Sequence, residues 1–430
     1  MSESTLLQRR FQAIGKHSPL FYDEPIHLVR GEGVWLYDAD GKQYLDCYNN
    51  VPHVGHCNPI VTDALTQQVT TLNIHTRYLH ENIVKYVERL TSTFAEPLDA
   101  AMIMCSGSEA NEQALRMARF LTNAQGIIGT DAAYHGNTEA VCELGSGFMP
   151  EALTTKRVRS FPIPDTYRGQ EGVSTEQLKD HYLQKIQDAI NAFNEDGIGF
   201  AGILVCPDFA NEGLLNLPDG FMEDMVALVR SAGGVVIFDE VQAGFGRTGE
   251  HMWAHQWYDV VPDIVTLGKP MGNGFPLAGL VTSLDNVNAF TKHAMYFNTF
   301  AGTPVACAVG NAVLDALEQE NLLQNAITTG QYVTDGLKAL QEKFPLIGEV
   351  RSRGMFFGVE LVVDHESKAP AKVQAKQIVN HMRDQGVLIS TIGPFNSVLK
   401  IRPPMPFQPE HADILLQALE KAFTDLSKEQ

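Results

Sequence analysis

Three stretches carry side chains that could do chemistry together. "GVVIFDEVQ" leads an apolar strand into Asp239 and Glu240, and "DIVTLGKPMGNGFP" leads another into Lys269 beside helix-breaking glycine and proline. "MIMCSGSEANEQALRMAR" leads a third into Ser106-Gly107-Ser108 and then into a helix whose Ala110, Ala114, Met117 and Ala118 share one face. A lysine just past a buried strand can be partly desolvated, which lowers its pKa and makes its amine a nucleophile toward an aldehyde. An acid emerging beside it can pair with a protonated ring nitrogen. The first turn of a helix offers an anion free amide groups and the positive end of the dipole, and glycine there lets the backbone come close. Taken singly, these are a loop acid, a surface lysine and a helix cap. Together they are an imine-forming lysine, a ring-nitrogen acid and a phosphate cup, the set that pyridoxal 5'-phosphate requires of a protein.

Such residues must be delivered to one edge by strands. Between about residues 100 and 285, short apolar runs alternate with amphipathic stretches, as β-α units feeding a largely parallel, two-sided sheet do. Strands are expected at 101–105, 126–130, 202–206, 234–240, 263–268 and 277–283, and ligands bind at the carboxyl ends of such strands. Met222, Met225, Val226 and Val229 recur at helical spacing, with Gly233 in the stop position. Three parts follow: an N-terminal segment, 1–54; a large domain, 55–320; and a smaller α+β domain, 321–430, with strands in "GMFFGVELVV" and "SVLKIRPPM" and a last helix using Leu415, Leu419, Ala422 and Leu426. The N-terminal segment, with a hairpin turning at Asp40-Gly41, is expected to pack on the small domain.

At 430 residues and 44% hydrophobic content the chain can bury a substantial core, and its formal charge of −19 argues against a nucleic-acid partner. No stretch approaches the roughly 20 apolar residues that span a bilayer, and the amino terminus lacks a signal-peptide core. The six cysteines are scattered without a Cys-x-x-Cys pair, so a soluble cytoplasmic protein with reduced thiols is expected. No metal is expected either: His53, His56 and Cys57 cluster in "HVGHC" without a second ligand pair.

"SGSEANEQALRMAR", "YHGN", "FDEVQAGFGRTG", "LGKPMGNGFPLAG" and "NTFAGTPVAC" resemble, in order and spacing, the signatures of class III aminotransferases, the ω-aminotransferase group of fold type I pyridoxal phosphate enzymes. The resemblance implies an α/β fold, with a large domain built on a mostly parallel seven-stranded sheet and a smaller α+β domain. It implies Lys269 as the imine lysine, Asp239 on the ring nitrogen, Gln242 near the ring hydroxyl, Val241 and Tyr134 on opposite ring faces, and Gly107 and Ser108 at the phosphate. Thr299 would come from the partner subunit of a homodimer, which could pair further into a tetramer; it also suits the N-cap of a helix starting at "PVACAVGNAVLDAL". The implied activity is transfer of an amino group from a primary amine or ω-amino compound to a keto acid or aldehyde.

Two departures from the family pattern qualify this reading. Where many members carry Glu-Pro-x-x-Gly-Glu, this chain reads "CPDFANEG", with Cys206 and Asn211 in the glutamate slots and Glu212 one residue out of frame. The carboxylate-binding arginine slot before the Pro-Pro pair holds Lys400, with Arg402 two residues on and on the same face by strand alternation. A lysine lacks the planar fork that grips carboxylates and suits phosphate or phosphonate. "YNNVPHVGHCNP" and "LNIHTRYLHENIVKYVERL" also look like the phospho-lyase branch of the class, making Tyr48 and Arg77 further substrate candidates. The alternative is therefore a lyase that eliminates phosphate or ammonia from an amino-alcohol phosphate or aminophosphonate. A coenzyme-binding protein without turnover is a third reading, which no appended module supports. "GFGRTG" lacks the strand-to-helix context of a dinucleotide site.

Overall fold

The computed structural model describes residues 5–145 and 154–429. Near the amino terminus, β1 (Leu28–Glu32), β2 (Trp35–Asp38) and β3 (Gln43–Asp46) form an antiparallel meander. Gly41, at φ +86°, supplies the left-handed residue that the β2–β3 turn needs.

The central sheet takes β4 (Ala100–Met104), β5 (Gly126–Thr130), β6 (Val158–Phe161), β7 (Phe200–Val205), β8 (Val235–Asp239), β9 (Ile264–Leu267) and β10 (Ala278–Thr282). Its seven strands lie in the order β4-β10-β9-β8-β7-β5-β6, and β10 alone runs against its neighbours. Every residue of β5 and of β7 to β10 is buried, as strands covered on both faces must be. The period of two then sorts side chains between two cores. Leu204 and Ile237 pack with Ala110, Ala114, Met117 and Ala118 of helix Gly107–Thr122. Ile203, Val205, Val236 and Phe238 point the other way, onto helices Leu178–Glu195 and Phe221–Ser231. The latter buries Met222, Met225, Val226 and Val229, and the chain turns at Gly233, φ +77°. β6, an edge strand, is the one that the hydrophobic pattern passes over.

Beyond residue 321 come helix Leu322–Lys343, β11 (Ile347–Arg353), β12 (Phe356–Leu361), β13 (Val387–Leu388), β14 (Ser390–Ile392), β15 (Val398–Ile401) and helix Pro409–Glu429, which buries Leu415, Leu419, Ala422 and Leu426. β11, β12, β15 and β14 form one antiparallel sheet, while β13 pairs in parallel with β3, Val387 opposite Leu45. β15 reaches the loop after β8, where Lys400 Nζ lies 3.2 Å from Gln242 Oε1. Among the described residues no helix is long and apolar enough to cross a membrane.

Candidate active site

β8 ends at Asp239, whose carboxylate is buried and held by three donors. Asn111 Nδ2 lies 2.9 Å and His135 Nδ1 2.7 Å from Oδ2, and the Val241 amide is 2.9 Å from Oδ1. Burial alone would raise this pKa, but the hydrogen bond and charge of His135, with the two amide donors, outweigh it and hold Asp239 below the usual carboxylate range. Asp239 is therefore an anion at neutral pH. Asn111 is itself fixed by Thr266 Oγ1, 2.6 Å from its Oδ1.

One strand over, β9 ends at Leu267, and the chain turns into the short 3₁₀ segment Lys269–Gly272. Burial lowers the Lys269 pKa; the charge of Asp239 opposes this and that of Arg402 adds to it. Lys269 and Asp239 line one cavity, with Tyr134, Val241, Gln242 and Cys206.

At the other end of the cavity, β4 feeds helix Gly107–Thr122 through Ser106, which caps Glu109 N–H while Glu109 Oε2 takes the Ser106 N–H. That box leaves the amides of Gly107 and Ser108, which an α-helix cannot satisfy internally, for an outside acceptor. The cradle is narrow. A Cβ on Gly136, whose φ is +142°, would lie 2.5 Å from Ser108 Oγ and 2.8 Å from Ser108 Cα. A Cβ on Gly107 would lie 3.1 Å from Val241 Cγ2.

Gln242 forms the remaining wall. Its Nε2 donates to Asn211 Oδ1 at 3.2 Å, and its Oε1 accepts from two buried cations at once, Lys400 Nζ at 3.2 Å and Arg402 Nη1. Burial, then the charges of Arg402 and Lys269, push Lys400 well below the ordinary lysine range; burial pushes Arg402 down to about 10. Glu212 is turned away, bonded to Thr130 Oγ1 and the Asn211 amide. Two cations thus share one neutral carbonyl, a set of donors suited to a multiply charged anion.

The class III aminotransferase model matches residues 21–423. The chain belongs to that family. It is 38% identical over its full length to "Alanine--glyoxylate aminotransferase 2-like" of Drosophila melanogaster, covering 89% of that protein. It is 34% identical over 99% of its length to "Ethanolamine-phosphate phospho-lyase homolog 1" of Caenorhabditis elegans, covering 95% of that protein. Among solved structures, a phospholyase from Arthrobacter in complex with phosphoethanolamine superposes with a TM-score of 0.94 at 47% identity, over 98% of this chain and 99% of that one. This class III chain is an enzyme of fold type I, and its coenzyme is pyridoxal 5'-phosphate. The cavity fits that coenzyme: an ionised acid and a lysine stand at one end and a glycine-narrowed amide cup at the other.

The other sequence candidates lie elsewhere. Tyr48 presents its ring to Arg402, with the guanidinium 5.7 Å from the ring centroid. Arg77 is exposed and stacks on Phe297 at 3.8 Å, outside the cavity of its own chain. Thr299 is exposed and also lies outside that cavity. It does not cap the following helix; Thr303 does, accepting from Ala306 N–H at 3.3 Å before Pro304. His53 bonds Phe245 O at 2.7 Å and His56 bonds Asp46 at 2.7 Å, and among the described residues no group of three metal-ligating side chains forms. Sequence reasoning missed Asn111, His135 and Gly136. The last two sit inside "YHGN", where a glycine next to aromatic residues was the available signal.

Proposed function

We propose that this enzyme eliminates phosphate from a short primary amine that carries it two carbons from the nitrogen. In net terms the substrate takes up one water and yields an aldehyde, ammonia and inorganic phosphate. The observation that carries this reading is the shared Gln242 Oε1: Lys400 and Arg402 are both buried there, and the acceptor they share is neutral. A phosphate dianion replacing that oxygen would satisfy both. The likeness to a phospholyase crystallised with phosphoethanolamine supports the same substrate class.

In this reading, bound pyridoxal 5'-phosphate supplies an electron sink that stabilises negative charge on the carbon bearing the amine. Lys269 is the residue that holds the coenzyme's aldehyde carbon and, once freed, takes the proton from the substrate carbon at Nζ. Asp239, held ionised by His135, Asn111 and Val241, keeps a proton on the ring nitrogen. Gln242 would lie toward the ring hydroxyl, Tyr134 and Val241 would confine the ring, and the Gly107 and Ser108 amides would hold its phosphate. Lys400 and Arg402 bind the substrate anion, with Tyr48 stacked behind Arg402.

Thr299 completes the cup of a second copy in a homodimer. Supporting this, Thr299 lies among the exposed apolar side chains Met295 and Phe300, on a segment that touches the 75–79 stretch carrying exposed Tyr78 and Leu79. A surface of that kind is unusual for a monomer. Arg77 belongs to the same face.

Transamination is the second reading, supported by the family and by the name of the Drosophila relative. Incubating holoenzyme with phosphoethanolamine and no keto acid separates the two. Elimination gives phosphate and ammonia over many turnovers; a single turnover that stops with the coenzyme aminated would overturn the proposal and leave transamination.

A further inference from the structure

We infer that Lys400, besides binding the substrate anion, is the general acid that protonates the departing phosphate. The inference rests on the elimination reading above and follows from the chemistry of the leaving group. When the electron pair of the carbon–hydrogen bond becomes the new carbon–carbon double bond, the carbon–oxygen pair departs on the bridging oxygen. From a phosphate monoester dianion, unassisted departure would expel the trianion, a very strong base. A proton delivered to that oxygen lets hydrogen phosphate leave instead.

Few groups can deliver it. Lys269 Nζ is occupied in taking the proton from carbon, so one proton enters Lys269 as another leaves Lys400, and solvent restores both. Arg402, lowered to about 10, still holds its proton more tightly than Lys400, which is pushed well below the ordinary lysine range, and that makes Arg402 the anchor. Asp239 is ionised and turned to His135 and Asn111, and Glu212 is bonded to Thr130. Burial pushes the Cys206 thiol well up, making it a poor donor. Lys400 is the group placed for it: its Nζ stands 3.2 Å from Oε1 of Gln242, which lines the cavity, next to the guanidinium that shares that oxygen. Burial and its cationic neighbours weaken its hold on a proton, while an arriving dianion favours the ammonium form, so the residue is charged when substrate binds and ready to give the proton up.

The test is Lys400→Arg in holoenzyme, assayed with 2-aminoethyl phosphate and with 2-aminoethyl sulfate, whose leaving group needs no proton. Arginine keeps the charge but cannot donate. The expected result is a loss in kcat of about 10²- to 10⁴-fold on the phosphate ester with KM little changed, and a far smaller loss on the sulfate ester. Equilibrium binding of inorganic phosphate, measured calorimetrically, should be retained in Lys400→Arg and weakened in Lys400→Gln, which checks that the site is intact without relying on turnover. Equal losses on both esters, or none on the phosphate ester, would overturn the inference and return proton donation to Lys269 or Tyr48. Wild-type enzyme that releases no phosphate without a keto acid would instead remove the elimination reading before any variant is made.

Discussion

Substituting Gly136 by alanine should cost the enzyme its coenzyme. Gly136 has φ +142°, a backbone region that L side chains avoid, and its added Cβ would sit 2.5 Å from Ser108 Oγ and 2.8 Å from Ser108 Cα. The second contact is with backbone, so a rotamer change cannot relieve it. Strain in such a region costs about 1–3 kcal/mol, and overpacking a tight site costs about 1–3 kcal/mol more. With partial relaxation, roughly 2–4 kcal/mol should fall on the position of Ser108, weakening coenzyme binding by roughly 30- to 1000-fold. The assay is titration of apoenzyme with pyridoxal 5'-phosphate, followed by absorbance. Gly233→Ala is the control: it has φ +77° but nothing within 4 Å of the added methyl, so it should lower stability and leave coenzyme affinity alone. Wild-type affinity in Gly136→Ala, or an equal loss in Gly233→Ala, would refute the idea that this glycine shapes the phosphate cradle.

Lys400→Met should stabilise the apoenzyme at neutral pH by roughly 1–4 kcal/mol, since burial penalises the charged form of a lysine that has no carboxylate partner and an apolar chain escapes that penalty. The folded-state pKa is lowered, so the unfolded chain binds the extra proton between that value and about 10.4, and wild-type stability rises with pH across the window. The gain in Tm should therefore shrink toward pH 10; a constant gain would contradict the cause given. Thr299→Ala should weaken coenzyme binding by roughly 10- to 150-fold, the loss of one charge-assisted hydrogen bond of about 1.5–3 kcal/mol. At coenzyme concentrations too low to load Thr299→Ala, mixing those chains with Lys269→Ala chains should recover up to about a quarter of wild-type activity, because half of the randomly formed dimers hold one intact site. No recovery on mixing would argue that Thr299 serves its own chain.

The strands that position the chemistry were legible because buried parallel strands are continuous apolar runs, and an Asp or Lys at the end of one stands out. β6, reading "VRSF", lies at the sheet edge with a half-exposed, mixed pattern, so periodicity gives no sign of it. Asn111 and His135 were invisible for a different reason: they meet Asp239 across 128 and 104 residues of chain, and no local pattern encodes that meeting. Thr299 and Thr303 precede the same helix, and the preference of proline for the first helical position picks Thr303 as the cap, a signal that was present and outweighed by motif spacing. The turn of Glu212 toward Thr130 depends on the path of the 206–213 loop, whose Phe209 takes a positive φ of 46° that its sequence does not announce.

Lys269 is the amine that must capture the coenzyme if the other residues are to act as proposed. Reducing holoenzyme with borohydride, digesting it and mapping the peptides by mass should place a stable pyridoxyl adduct on Lys269. An adduct on Lys400 or any other lysine, or none at all, would contradict it.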